Sequence, residues 1–469
     1  MLDIASKKKL FGDRHFYRMV LGVSVPIMVQ TGITNFVSLL DNIMVGTLGT
    51  ESMSGVSIVN QFIFIFNLLI FGAVSAAGIF TAQYHGFGDV DGVRYTFRFK
   101  FMINMTAGAL GILVFTFFGD ELIGMFLHEG ADGDLALTLS EGKRYLQAML
   151  IGLLPYAVSQ VYASTMRETG ETMVPMIASV VAVLTNFVLN LVLIFGYLGA
   201  PALGVAGAAI ATTVSRFAEL AVLAIYAHVK VARFPFLRGA FRSFHVPRNL
   251  TGRIMLKGLP LMANEMFWAL AVTMRNQCYS TRGLDVVAAQ NINSTIDNLF
   301  SVVYLALGTS ISIIVGNLLG AGKMEEAKDT DRKMITFSIL CSVGIALLLI
   351  GTSPLFPMLY NTGESVRGLA TFMIIVTACV TPFRAFAHSA YFTLRSGGKV
   401  MVTILFDSVY MWAIVMPVSL VLAHFTGLSI YWLFIICQGV EAAKFLLGLL
   451  LLKRGSWARQ LVSDASLKE

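Results

Sequence analysis

Apolar stretches long enough to cross a bilayer recur from one end of this chain to the other, and few folds are compatible with that. A helical span needs about 20 mostly apolar residues. Twelve such spans are read at 17–46, 54–83, 96–118, 144–165, 173–196, 204–228, 254–281, 286–317, 334–359, 368–394, 400–424 and 429–452. Several approach thirty residues, which suits tilted helices or helices that project beyond the hydrocarbon. All are far longer than the roughly ten residues of a membrane-crossing strand, so a β-barrel is excluded. A large soluble core is excluded by composition: 56% of the 469 residues are hydrophobic and 13% charged, against about 25% charged in soluble domains. The expected fold class is an all-α integral membrane protein with twelve transmembrane helices.

The net charge of +7 does not gather into one patch, which argues against nucleic acid as a partner. Instead the basic residues alternate between loops. Lys7, Lys8 and Lys9, then Arg94, Arg98 and Lys100, then Lys230, Arg233, Arg238, Arg242 and Arg248 fall on one side, with Lys323, Lys328, Arg332, Lys333, Lys399, Lys453 and Arg454. The opposite loops hold TLGTES, the acidic stretch from Gly119 to Gly142, and YLGAPALG. Basic loops mark the cytoplasmic side, so both termini are expected in the cytoplasm and the bilayer is expected to be the plasma (inner) membrane. The polar start MLDIASKKKLFGDRHFYR precedes an apolar run too long for a signal-peptide core. Cys278, Cys341, Cys379 and Cys437 lie in apolar stretches with no CxxC spacing, so neither disulfides nor a metal site is expected.

The halves repeat. Residue n against n+234 pairs Pro26 with Pro260, Asn42 with Asn276, Gly49 with Gly283, Gly86 with Gly320 and Gly88 with Gly322, among ten ungapped identities. Farther on, Arg167 and Gly170 match Arg395 and Gly398 at a spacing of 228. Six spans per half put both halves in the same orientation, related by a pseudo-two-fold axis along the membrane normal. Two six-helix lobes, 1–228 and 254–469 with a short basic tail, are therefore expected, joined by a basic linker at 229–253 that contains Pro235 and Pro247. Parallel repeats of this kind suit a cleft between lobes, a transporter architecture.

An ionisable group inside a span costs about 2.5–3.5 kcal/mol on insertion scales, so each needs a partner or water. Asp41 lies in the first span, toward its outer end, with Thr34 and Ser38 on its face at i, i+4, i+7 spacing; it is either a proton or sodium site facing a cavity or an interfacial aspartate wetted at the outer surface. Asn186 and Asn190 share a face of the fifth span, with Thr212 and Thr213 near in topology. Such neutral amides either ligate a cation or orient Asp41 without adding charge, and plain helix packing explains them equally well. Ser57, Asn60 and Asn67 correspond through the repeat to Asn291, Ser294 and Ser301, and Gln290 and Asp297 extend that second stripe. Polar stripes at equivalent places point to the lining of a cleft, with helix–helix hydrogen bonding as the plainer reading. Glu265 sits mid-span in the seventh segment, either as an ion site or neutralised by a cation such as Arg384 in the tenth. Arg216–Glu219 and Glu441–Lys444 are i, i+3 pairs able to neutralise themselves. Asp407, in the eleventh span, is either an ion relay or a buried hydrogen-bond partner.

No phosphate-binding loop is present, so transport is not driven by ATP hydrolysis on this chain. No HExxH, GxSxG or spaced Cys/His cluster supports an intramembrane enzyme. The segments PIMVQTGITNFVSLLDNIMVGTLG, AGIFTAQYHGFGD, NFVLNLVLIFGYLGAPALGVAGAAIAT, SIIVGNLLGAGKMEEA and LRSGGKVMVTILFDSVYMWAIVMP together resemble the multidrug and toxic compound extrusion (MATE) family. The likeness covers nearly the whole chain. It implies a V-shaped pair of six-helix lobes, alternating access, and export of organic cations or amphiphiles in antiport with H+ or Na+, without a cofactor. It implies that Asp41 is a cation-coupling residue, with Na+ near Asp41 as one form, and that Glu265 serves likewise in some branches. Arg384 and Asn190 stand where other branches carry acids. A monomer is expected. The rival expectation is a flippase of lipid-linked precursors from the wider superfamily, whose cavity should be cationic; here Asp41, Glu265 and Asp297 stand against Arg275 and Arg384.

Overall fold

The structure, a computed structural model, describes residues 10–126, 134–360 and 362–462. Lys7, Lys8 and Lys9, part of the acidic 119–142 stretch and the last seven residues lie outside the described residues. Among those described, regular structure is helical throughout. Twelve rods follow one another: α1 (Arg14–Gly46), α2 (Thr50–Phe87), α3 (Val90–Gly124), α4 (Leu135–Glu168), α5 (Met173–Phe195), α6 (Val205–Val229), α7 (Arg248–Ser280), α8 (Leu284–Gly320), α9 (Met324–Thr352), α10 (Glu364–Ser396), α11 (Val400–Phe425) and α12 (Ile430–Lys453). Eleven are long and apolar enough to cross a membrane; α7 falls short. The reason is in its sequence, which spends Arg253, Lys257, Glu265 and Arg275 inside one helix.

Proximity groups the chain into two compact units, Val29–Thr81 with Asp89–Gly258, and Met1–Met28 with Ala82–Gly88 and Leu259–Glu469. In the unit that contains Asp41, an apolar core runs through Val59, Phe66, Ile70, Leu146, Leu153 and Ile194. Glycines let its helices close up: a Cβ on Gly55 would lie 2.7 Å from the Thr138 carbonyl, and one on Gly207 2.4 Å from that of Leu193. The basic stretch expected as a linker is not a loose tether. Arg98 donates to the carbonyls of Ala240 (2.8 Å), Gly239 (2.8 Å) and His245 (3.2 Å), and Arg94 donates to that of Phe236 (3.1 Å). Phe97 and Phe101 pack on Phe236, Phe241 and Phe244. Arginine suits this task because its five fixed donors bind several carbonyls at once.

In the second unit the core includes Ile292, Ile296, Leu369, Met373, Leu433 and Phe434. Its tightest crossing joins the end of α2 to the end of α8. A Cβ on Gly86 would lie 1.9 Å from the Asn317 carbonyl oxygen, and one on Gly320 would lie 2.0 Å from that of Gln83. Gly86 and Gly320 are repeat mates, so the crossing is built from the same position of both halves. Beyond α12 the chain turns back over this crossing. Gln83, fully buried, donates to the carbonyls of Ser396 (2.9 Å) and Arg459 (3.2 Å) and accepts from the Leu461 amide (2.6 Å). Gln460 donates to Gly320 (2.7 Å), and Trp457 and Val462 are buried.

Candidate functional site: a carboxylate held by amides

Asp41 lies five residues from the end of α1 and is met by α5. Asn190 Nδ2 donates to its Oδ1 at 2.5 Å and to Asn186 Oδ1 at 3.2 Å. One terminal atom of the Asn186 amide lies 3.1 Å from Thr212 Oγ1 on α6. With its nitrogen turned to the carboxylate, the same amide donates to Asp41 at 2.9 and 3.3 Å. An amide set so can offer N–H to a bare carboxylate or C=O to a bound cation. The i, i+4 spacing of Asn186 and Asn190 on a continuous α5 puts both on one helical face. Among the described residues no ammonium or guanidinium lies within ion-pair distance of Asp41.

The other candidates in this unit divide. Asn67 lines a small cavity of about 20 Å³ with Tyr156, Thr212, Thr213 and Arg216, room for one water. Asn60 accepts from Tyr145 Oη at 3.3 Å. Thr34 and Ser38 stand apart from the Asp41 cluster: they donate to Gln30 O (2.8 Å) and Thr34 O (3.0 Å) of their own helix. Sequence spacing places them on one face but cannot reveal that each hydroxyl is taken by the preceding turn.

In the second unit, the candidate ionisable groups are bonded to residues on other helices. Glu265 accepts from Tyr391 Oη at 2.7 Å, and Arg384 is not its partner. Arg384 instead pairs with Asp297 (3.1 Å) and Glu441 (3.5 Å) and donates to Gln438 (2.6 Å), while Arg275 also pairs with Glu441. Asp407 pairs with Lys444 at 2.7 Å and accepts from Asn264 Nδ2 at 3.2 Å. Glu441 and Lys444, expected to neutralise each other, are thus each committed elsewhere. Gln290 bonds Asn276 (3.4 Å) and Ser294 (3.3 Å), which fits helix pairing. Around Asp407, α11 widens into π turns at Leu405–Val409 and Met411–Val415. Asn264 enters there and accepts from the Ser408 amide at 3.3 Å and from its hydroxyl at 2.7 Å. Such insertions are a recognised cause of helix distortion.

Repeat spacing would have exposed what residue-by-residue reading missed. Gln30 and Asn264 are 234 apart; Ser179 and Asp407, and Arg216 and Lys444, are 228 apart. Gln30 donates to Ser179 at 2.8 Å, the counterpart of the Asn264–Asp407 contact, but Ser179 reaches Arg216 only through Glu219 (3.1 and 3.3 Å), where Asp407 pairs with Lys444 directly. Lys444→Met should therefore strand a buried carboxylate, at about 3–5 kcal/mol. The thermal unfolding midpoint in detergent should fall, and adding Asp407→Asn should restore most of it; no recovery would refute the pairing.

Two internally homologous six-helix halves, with ion pairs and amide-held carboxylates inside their helices, define the class: a duplicated, all-helical, multi-pass membrane protein. The MatE family model matches residues 26–192 and 262–423, most of the chain, and the chain belongs to that family. It is 22% identical over 451 residues to the probable multidrug resistance protein NorM of Thermotoga maritima, covering 94% of this chain and 93% of that one. To the NorM of Halalkalibacterium halodurans it is 26% identical over 415 residues, 88% and 89% of the two chains. Its fold matches a solved structure described as the outward-facing conformation of a multidrug resistance MATE family transporter, with TM-score 0.84 at 20% identity over 95% and 97% of the chains. It also matches a MOP superfamily transporter from Pyrococcus furiosus, at TM-score 0.83 and 20% identity over the same shares.

Proposed function

We propose that this protein is a secondary active multidrug exporter of organic cations or amphiphiles, in antiport with H+ or Na+, by alternating access of the two repeats. The repeats, 1–228 and 254–469, are joined by the connector at 229–253, and both termini face the cytoplasm of a cell bounded by the plasma (inner) membrane. The protein acts as a monomer and needs no cofactor. The observation that carries this reading is Asp41: an intramembrane carboxylate bonded by neutral amides and so available to a proton or a hard cation, which favours oxygen ligands. Asn186, Asn190 and Thr212 supply the neutral oxygens such an ion would need. A ligand shifts a two-state carrier only through differential affinity for the states, so loading Asp41 from outside must favour the state that releases substrate.

Purified protein in liposomes loaded with ethidium tests this directly. An imposed inward proton gradient or sodium gradient, applied separately, should drive efflux several-fold above the gradient-free rate in at least one arm. Equal rates in all arms would refute antiport. Movement of a lipid pyrophosphate analogue in place of ethidium would move the reading to the flippase.

A further inference from the structure

The ion site leaves unused a charged pair one turn along α6. Arg216 follows Thr212 by four residues, and Glu219 lies three beyond it. Arg216 Nη1 donates to Glu219 Oε2 at 3.3 Å, while the other Glu219 oxygen accepts from Ser179. The guanidinium lies over the Tyr156 ring, 4.9 Å from its centroid. The two partners are not equally fixed: the Glu219 side chain is 4% exposed and that of Arg216 is 32%. The space next to Arg216 is the one-water cavity that it shares with Thr212 and Asn67. Thr212 is also where the amide network of Asp41 ends, and Arg216 is a cation whose field reaches Asp41. One helical turn rises about 5.4 Å, within the length of an arginine side chain. The ionisable groups around it are Glu219 on α6, Asp41 on α1, and Tyr145, Tyr156 and Arg167 on α4; α5 contributes the neutral Ser179, Asn186 and Asn190.

We propose that Arg216 is an internal counter-charge that alternates between Glu219 and Asp41. When the coupling ion has left, the guanidinium turns from Glu219 toward the Asp41 carboxylate, past Thr212, sparing the carrier a bare intramembrane charge. When the ion arrives, Arg216 returns to Glu219 and Tyr156, the arrangement seen here. The second repeat shows the fixed version of the same position. Lys444, the mate of Arg216, is held at 2.7 Å by Asp407 on α11, whereas the α5 mate of Asp407 is the uncharged Ser179. The Arg216 side chain is 32% exposed, against 11% for Lys444.

This rests on the reading of Asp41 as the ion site, and the test separates the two. Binding is measured on protein in nanodiscs, with NaCl alone by titration calorimetry and with protons alone by a pH-indicator dye. Arg216→Gln removes a competing cation and should lower the half-saturating ion concentration roughly tenfold, the scale of one unit charge at several ångströms in a partly buried site. Glu219→Gln removes the resting partner and should raise it by a similar factor, while Arg216→Lys should stay near wild type. Opposite signs are the signature, since a merely structural role would weaken binding in both variants. Changes in the same direction, or none, would overturn the counter-charge while Asp41→Asn still abolished the signal. Wild-type binding by Asp41→Asn would instead overturn the ion site itself.

Discussion

Asp41→Asn should leave a folded protein that no longer couples efflux to an ion gradient. The substitution keeps size and shape, and its amide oxygen still accepts from Asn190. It removes the charge that makes the site selective for a cation over water. Driving a carrier from 1:99 to 99:1 between its two states takes about 5.5 kcal/mol of differential affinity, and an uncharged amide cannot draw that from H+ or Na+. Gradient-driven ethidium efflux should fall to the gradient-free rate, with the thermal midpoint in detergent unchanged. Efflux that still follows the imposed gradient would remove Asp41 from the mechanism.

Gly86→Ala and Gly320→Ala should each disrupt the crossing of α2 with α8. Alanine in a helix gains about 1 kcal/mol over glycine in propensity. Against that, the new Cβ would sit 1.9 or 2.0 Å from a backbone carbonyl oxygen, where no rotamer change relieves the clash and two helices must part. Overpacking of even flexible cores costs about 1–3 kcal/mol, so the steric cost wins, and the thermal midpoint should drop in both variants. Gly344→Ala is the control, because a Cβ there meets nothing within 4 Å, and it should be neutral or slightly stabilising. Equal midpoints in all three would mean that the crossing carries no weight.

Hydropathy alone made the rods legible, because the bilayer requires long apolar runs whatever the tertiary partners are. The seventh span, read at 254–281, is also a helix, but α7 is the least apolar of the rods, and its charged residues are tolerated inside the protein. Glu265 finds Tyr391, and Arg275 finds Glu441. Charge pairing was readable only within one helix. Arg216–Glu219 is visible as an i, i+3 spacing, and the structure contains it. Glu441–Lys444 has the same spacing, yet each residue bonds to another helix because packing brings Arg275, Arg384 and Asp407 closer. The shared face of Asn186 and Asn190 and its nearness to Thr212 were readable from spacing and topology, whereas plain helix packing explained that face as well as a meeting with Asp41 did, and the fold decides it. Tyr391 and Gln83 gave no local signal, since nothing in their own segments marks what reaches them.

The stretch after Lys453 has the look of an appendage, a few polar residues past the last span. Yet Gln83 spends both ends of its amide on that stretch and on α10, and Gln460 covers the Gly320 carbonyl. A premature stop at Trp457 would therefore unroof three helices at once, and its phenotype should be that of a protein failing quality control rather than of a transporter with a shorter tail.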